Sequence, residues 1–149
     1  NEHKVLTSAE GDGIMVAYNY SQELDTPENK AFKEKWKAAY GDTNGIHELA
    51  VSTYQGIMLW AEGVKKAGTV DRDPVIEALE TGVSIVGPAG NIAIDPQTHH
   101  ATLDVHIMEV EDQKMKVVET LNQVAPVDTQ AVCNLQENPD DNTQYEIEI

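Results

Sequence analysis

One cysteine, one phenylalanine, few basic residues and no long apolar run set the first limits on this 149-residue chain. Cys133 has no second thiol to pair with, so an intrachain disulfide is excluded and no redox compartment follows from it. In "QAVCNL" it has no neighbouring histidine to activate it, and a small buried or half-buried residue is the simpler role. Lys and Arg number 10 against 26 Asp and Glu, a formal charge of −16. Such a field repels phosphate backbones and anionic lipid, so no nucleic-acid partner is expected and a membrane-surface role is disfavoured. No segment approaches the roughly 18 apolar residues that a membrane span requires. The chain begins at Asn1 rather than Met, as a mature or truncated product would.

Catalytic motifs are missing too. There is no Walker loop, no nucleophile elbow, no HExxH and no CxxC. "GDG" at 11–13 and "GPAG" at 87–90 are glycine turns without a phosphate-loop context, and none of the carboxylates is marked as a general acid or base. The residues therefore imply no enzyme and no cofactor. His99, His100 and His106, with Asp95 and Asp104, look like a metal cluster until strand geometry is applied. At ~3.3 Å per residue His100 and Asp104 stand about 13 Å apart. A zinc ion needs its ligands within ~2.0–2.2 Å, so surface or turn histidines are expected and no metal.

What is present is a folded pattern, with 40% hydrophobic residues. "GIMVAYNY" carries Ile14, Val16, Tyr18 and Tyr20 on one face and Met15 and Ala17 on the other, which predicts a central strand of a parallel sheet covered on both sides. Thr26, Pro27 and Glu28 then open a helix, along which Phe32, Trp36, Ala39 and Tyr40 recur until Gly41. A second helix spans about 46–67, with Ala50, Tyr54, Ile57, Met58, Ala61 and Val64 on its apolar face and Gly68 as its stop. A third is capped by Asp73 and opened by Pro74; Val75, Ile76 and Leu79 face inward and Gly82 closes it. Trp36 and Trp60 fall within these patterns as packing residues. Three helices in succession leave the first strand without a neighbour, so its partner must come from elsewhere. Short extended pieces follow in "IVGPAGNIAIDP", then a hairpin of 103–110 and 115–121 around a four-residue loop, "EDQK". The acidic end after Pro126 has no assignable pattern.

The succession "GIMVAYNYSQELDTPENKAFKEKWKAAYG", "AVSTYQGIMLWAEGVKKAG", "VIEALETG" and "GPAGNIAIDPQTHHATLDVHIMEVEDQKMKVVE" resembles the carboxyl-terminal part of type I periplasmic binding proteins, over residues 10 to 126. These are ABC-transporter substrate-binding proteins of the urea, short-chain amide and branched-chain amino acid group. Tyr20, Asp25-Thr26-Pro27 and the region of His100 and Leu103 look closest to the urea and amide branch, while "CNL" resembles an amide-sensing regulator of amidase operons. The resemblance implies an α/β chain from a two-lobed fold of Rossmann-like lobes, with a final β-hairpin. Residues 1–20 would end the second lobe and 21–26 would cross between lobes. Residues 27–84 would give first-lobe helices, 85–97 a second crossing, 98–126 the second-lobe hairpin, and 127–149 an acidic tail.

The implied function is a periplasmic receptor that holds a small solute (urea, a short amide or an amino acid) in the cleft between lobes and delivers it to an ABC permease. A cytoplasmic amide sensor acting through a partner protein is the alternative, and a branched-chain amino acid receptor a second one. Tyr18, Tyr20, Ser21 and Gln22 are the candidate ligand-binding residues, because tyrosines at a strand end offer both a ring and a hydroxyl. Packing would account for the two tyrosines equally well. Family members are more than twice as long as this chain, so its helices are expected to expose apolar stripes that pair with a missing amino-terminal portion or with another copy.

Overall fold

In the computed structural model, which describes residues 2–42 and 45–146, the first strand finds its partner far along the chain. β1 (Met15–Tyr18) pairs antiparallel with β4 (Ala101–Glu111), from Met15 opposite Glu109 to Tyr18 opposite His106. β2 (Ser84–Gly87) and β3 (Gly90–Ile94) form a tight hairpin, and β3 continues onto the start of β4. β5 (Lys114–Val124) pairs along most of β4. Leu103 pairs with both β3 and β5, and Met108 with both β1 and β5. β1 and β3 therefore lie end to end on one edge of β4, with β5 on the other.

The expected central, parallel, doubly covered strand is not what β1 is. It is short, antiparallel and at an edge, with Met15 and Tyr18 52% and 46% exposed. Apolar residues on both faces report what a strand is built to bury, and among the described residues only β4 is available to it. The carboxyl-terminal hairpin also turns more sharply than expected. Glu111 and Lys114 pair in the ladder, leaving only Asp112 and Gln113 in the loop, at φ of 49° and 61°. Two positive φ values in a two-residue loop match the right-handed twist of the strands.

α2 (Pro27–Tyr40) forms as its signals dictate: Thr26 Oγ1 accepts the Asn29 amide, Pro27 opens the helix, and Gly41 closes it at φ 78°. Phe32 is buried and Trp36 half-buried, but Ala39 and Tyr40 face solvent. α3 (Glu48–Ala67) is capped by His47, whose Nδ1 accepts the Leu49 amide. Its inward row is Val51, Gln55, Leu59 and Gly63, not the expected stripe, and Ile57 and Met58 are 60% and 40% exposed. Polar Gln55 and side-chain-free Gly63 hid that row from an apolar pattern. Gln55 Oε1 accepts the Ala89 amide at 2.7 Å in the β2–β3 turn. Gly63 admits Leu79 of α4 (Arg72–Leu79), where a Cβ would stand 2.8 Å from a Leu79 methyl. α4 starts earlier than expected, with Asp71 at its cap and only Val75 and Ala78 buried; Ile76 is exposed and Leu79 half-buried. Pro74 fits because first-turn amides have no intrahelical partner.

At the amino end a single 3-10 turn (Glu2–Lys4) and α1 (Ser8–Gly11) lie over the β1–β4 face. Gly11 sits between Leu6 and Val110 there. After β5, α5 (Val127–Gln130) and the following chain dock back on 95–100. Gln97 Nε2 donates to the carbonyls of Gln130 and Cys133, and Gln130 Nε2 donates to Asp95. Cys133 is half-buried in this docking. One core cluster, Tyr20, Leu24, Phe32, Ile46, Val51 and Ala89, is assembled around the residues just after β1. Replacing Gln55 with Met keeps the volume but leaves the Ala89 amide without its acceptor. A loss of about 1–3 kcal/mol is expected in chemical denaturation, and an unchanged midpoint would show that the bond contributes nothing.

Candidate functional site

Directly opposed residues of an antiparallel pair project from the same face, so Val16 and Tyr18 stand beside Met108 and His106. A cavity of about 180 Å³ opens on this face. Its apolar wall is Val16, Ile14, Met108, Val110 and Met115 from the sheet, with Leu6 and Ile46 closing the sides. Its polar wall comes from three separate pieces of chain: Glu2 and His3, the run Tyr18 and Tyr20–Glu23, and His47 with Glu48 at the start of α3. Tyr18, Tyr20, Ser21 and Gln22 all line this one cavity.

Their states differ. Tyr18 is half-exposed, whereas Tyr20 is only 3% exposed and its hydroxyl donates to Asn29 Oδ1 at 3.0 Å. Burial, reinforced by the Glu23 carboxylate, holds the Tyr20 phenol well above the ordinary tyrosine value. The ring of Tyr20 can therefore form wall, while its hydroxyl proton is engaged behind it. Ser21 Oγ donates to one oxygen of Glu23 and Gln22 Nε2 to the other, and Gln22 Oε1 accepts the Ile46 amide at 3.2 Å. The three form a polar rim tied to the entrance of α3.

His3 was not anticipated from the sequence. It is 7% exposed, and among the described residues neither ring nitrogen has a hydrogen-bond partner. Burial pushes its imidazole below the ordinary histidine value, against the pull of the Glu23 carboxylate. A neutral ring with one donor and one acceptor unmet thus borders the cavity. Only a lone "EHK" at the chain start could have signalled it, and no pattern marks such a histidine.

Of the histidines expected at surfaces or turns, His99 and His100 are exposed, in the turn before β4. The strand spacing applied to His100 and Asp104 does not hold at His100, because β4 begins only at Ala101. His106 departs from the expectation: it is buried in the sheet, with Nδ1 3.0 Å from Thr120 Oγ1 and Nε2 without a partner among the described residues. Among the described residues no group of His, Cys, Asp or Glu is arranged to hold a metal ion. A second hollow of about 280 Å³ lies between α3 and the β3–β4 pair, where Asn19 Nδ2 reaches Ser52 Oγ and Trp60 stands half-exposed as wall.

Comparison with known proteins adds an independent line. A family model described as "Periplasmic binding protein domain" matches residues 1–136. Leu/Ile/Val-binding protein homolog 6 of Brucella abortus (strain 2308) is 31% identical over 103 residues, covering 66% of this chain and 25% of its own length. The solute binding protein of an ABC transporter from Rhodopseudomonas palustris HaA2, solved with p-hydroxybenzoic acid, is 32% identical with a TM-score of 0.69, over 77% of this chain and 32% of that one. A Geobacillus stearothermophilus protein named limonene hydroxylase is 32% identical over 64% of this chain and 17% of its own length. The chain thus spans about a quarter of the curated Brucella relative it matches.

Sequence reading also passed over Asn29, which is fully buried one turn into α2. Its Nδ2 donates to the carbonyls of Leu24 at 2.8 Å and Gln22 at 3.2 Å, while its Oδ1 accepts from Tyr20. Asn29→Ala removes all three bonds and strands the buried Leu24 carbonyl and Tyr20 hydroxyl, while the Gln22 carbonyl keeps Lys33. A loss on the order of 3 kcal/mol is expected, with Asn29→Asp equally poor because it cannot donate to carbonyls. Full retention of the melting temperature by both variants would contradict this role.

Proposed function

This chain belongs to the type I periplasmic binding protein family, and from that premise we propose that it is part of the solute-binding receptor of an ABC uptake system. The observation that carries the reading is the cavity walled by Tyr18, Tyr20, Ser21 and Gln22, at the end of β1 where the chain turns toward α2. In this reading residues 21–26 and 85–97 cross between two lobes. Residues 27–84 belong to the first lobe, 1–20 and the 98–126 hairpin to the second, and 127–149 to an acidic tail. The rest of the cleft comes from portions of the receptor outside this chain.

The proposed solute is urea or a short-chain amide. The volume near 180 Å³ is below the roughly 300–1,000 Å³ of pockets for drug-sized ligands. A mixed wall of aliphatic side chains and hydrogen-bonding groups suits a small neutral molecule. The exposed Leu49, Ile57 and Trp60 of α3 would be covered by the remainder of the receptor or another copy. A periplasmic location and a permease partner follow from the same reading, and no described helix is long and apolar enough to cross a membrane. Catalysis is not part of the proposal.

A second reading, a branched-chain amino acid receptor, is favoured by the names of the Brucella relative and of a Pseudomonas aeruginosa protein that binds leucine, isoleucine, valine, threonine and alanine. A ligand that binds only the folded receptor raises its melting temperature by mass action. Thermal-shift screening of the full-length protein should therefore show stabilisation by urea or acetamide. Stabilisation by branched-chain amino acids or hydroxybenzoates alone would overturn the amide assignment while leaving the receptor role standing.

A further inference from the structure

We propose that His3 is the specificity-determining contact of the 180 Å³ cavity, and that the cavity takes a neutral, carbonyl-bearing solute of the amide class and rejects free carboxylates. The proposal rests on the reading of this cavity as the solute site. Its first support is the unmet hydrogen-bonding capacity of the ring, which is 93% removed from solvent by its 7% exposure and has both nitrogens unpartnered among the described residues. Leaving such groups unmet in a buried place is costly, and a ligand that arrives with complementary groups recovers that cost on binding.

The second support is the charge around it. Glu23 and Glu48 line the cavity, and among the described residues no Lys or Arg does. The Glu23 carboxylate already accepts from Ser21 and Gln22, which fixes its negative charge at the polar rim. Lys4 neighbours His3 in sequence but does not line the cavity, and Lys33 donates to the Gln22 carbonyl rather than to the cavity. A solute carboxylate would meet the like charges of Glu23 and Glu48; of the two histidines that line the cavity, His47 already accepts the Leu49 amide at Nδ1, which leaves His3 as the candidate counter-ion. Burial favours the neutral ring, so that counter-ion is poorly supplied near neutral pH.

An amide has no such difficulty. Its carbonyl oxygen accepts the N–H of the neutral imidazole, and its own N–H groups face the carboxylate rim. The second ring nitrogen points away from the first, so it accepts from another solute N–H or from a water carried in with the solute. The aliphatic wall of Val16, Met108 and Val110 leaves room for a short alkyl group at the other end.

The test is calorimetric titration of the full-length protein with acetamide and urea, and separately with acetate, benzoate and leucine. Wild type, His3→Gln and His3→Phe are compared. The amides should bind wild type, and His3→Phe should weaken them about tenfold, the scale of one lost hydrogen bond. His3→Gln, which keeps a donor and an acceptor, should lose much less. His3→Phe should melt no lower than wild type, because it removes two unmet polar atoms; a purely structural histidine would instead lower it. Acetamide should also shift the His3 ring signals in NMR, a readout that stands if a variant fails to fold.

Undiminished amide affinity in His3→Phe, binding of the carboxylates as tightly as the amides, or no binding of either amide would overturn the proposal. Amide binding that moves Tyr18 and Gln22 signals but leaves the His3 ring unshifted removes only the histidine assignment. Binding that moves none of the three removes the cavity as the solute site.

Discussion

Asn29 holds together what the rest of the chain needs kept in place. The eight residues between β1 and α2 have no strand or helix of their own, so their backbone polar groups must find other partners. A single buried carboxamide supplies two of them: the carbonyls of Gln22 and Leu24 accept from its nitrogen, while the Tyr20 hydroxyl donates to its oxygen. Because Asn29 also lies in the first turn of α2, with its amide on Thr26, the path of the segment and the start of the helix are fixed as one unit. Tyr20 and Leu24 are thereby turned into the core beside Phe32, Ile46 and Val51, while Tyr18 and Ser21–Glu23 are left along the cavity.

The same arrangement lets one segment serve two purposes. Tyr20 is a core residue by burial and by its hydroxyl bond, yet its ring is also wall. Packing and ligand contact were offered as rival accounts of this tyrosine, and at a segment that runs between a core and a cavity they are compatible. The cavity itself is contrasted: aliphatic on the sheet side, and carboxylate and imidazole on the side formed by the amino end and the start of α3. A segment pinned by Asn29 from behind gives that polar side a fixed shape, which a binding site for a small solute requires.

Much of the fold was legible because local chemistry acts locally. Thr26-Pro27 and Gly41 bound α2, Gly68 ends α3, and the hairpin of β4 and β5 follows from alternation around a polar turn. Four candidate residues read from a strand end do share one cavity. What escaped was set by distant partners. The inward row of α3 depends on Gln55 meeting the Ala89 amide and on Gly63 admitting Leu79, and neither residue is apolar enough to mark a face. β1 displayed the pattern of a doubly covered strand although β4 is its only described partner. His3 and Asn29 belong to no periodic pattern, so only their three-dimensional surroundings assign them a role.

The central claim is that the segment after β1 is both a pinned connection and a wall of the solute site. A crystal structure of the full-length protein grown with urea or acetamide tests it most directly. The account predicts solute density in the cavity bordered by Tyr18, Ser21 and Gln22, with the Asn29 bonds to Tyr20, Gln22 and Leu24 intact. Density seated wholly elsewhere, with this cavity filled by other parts of the protein, would contradict it.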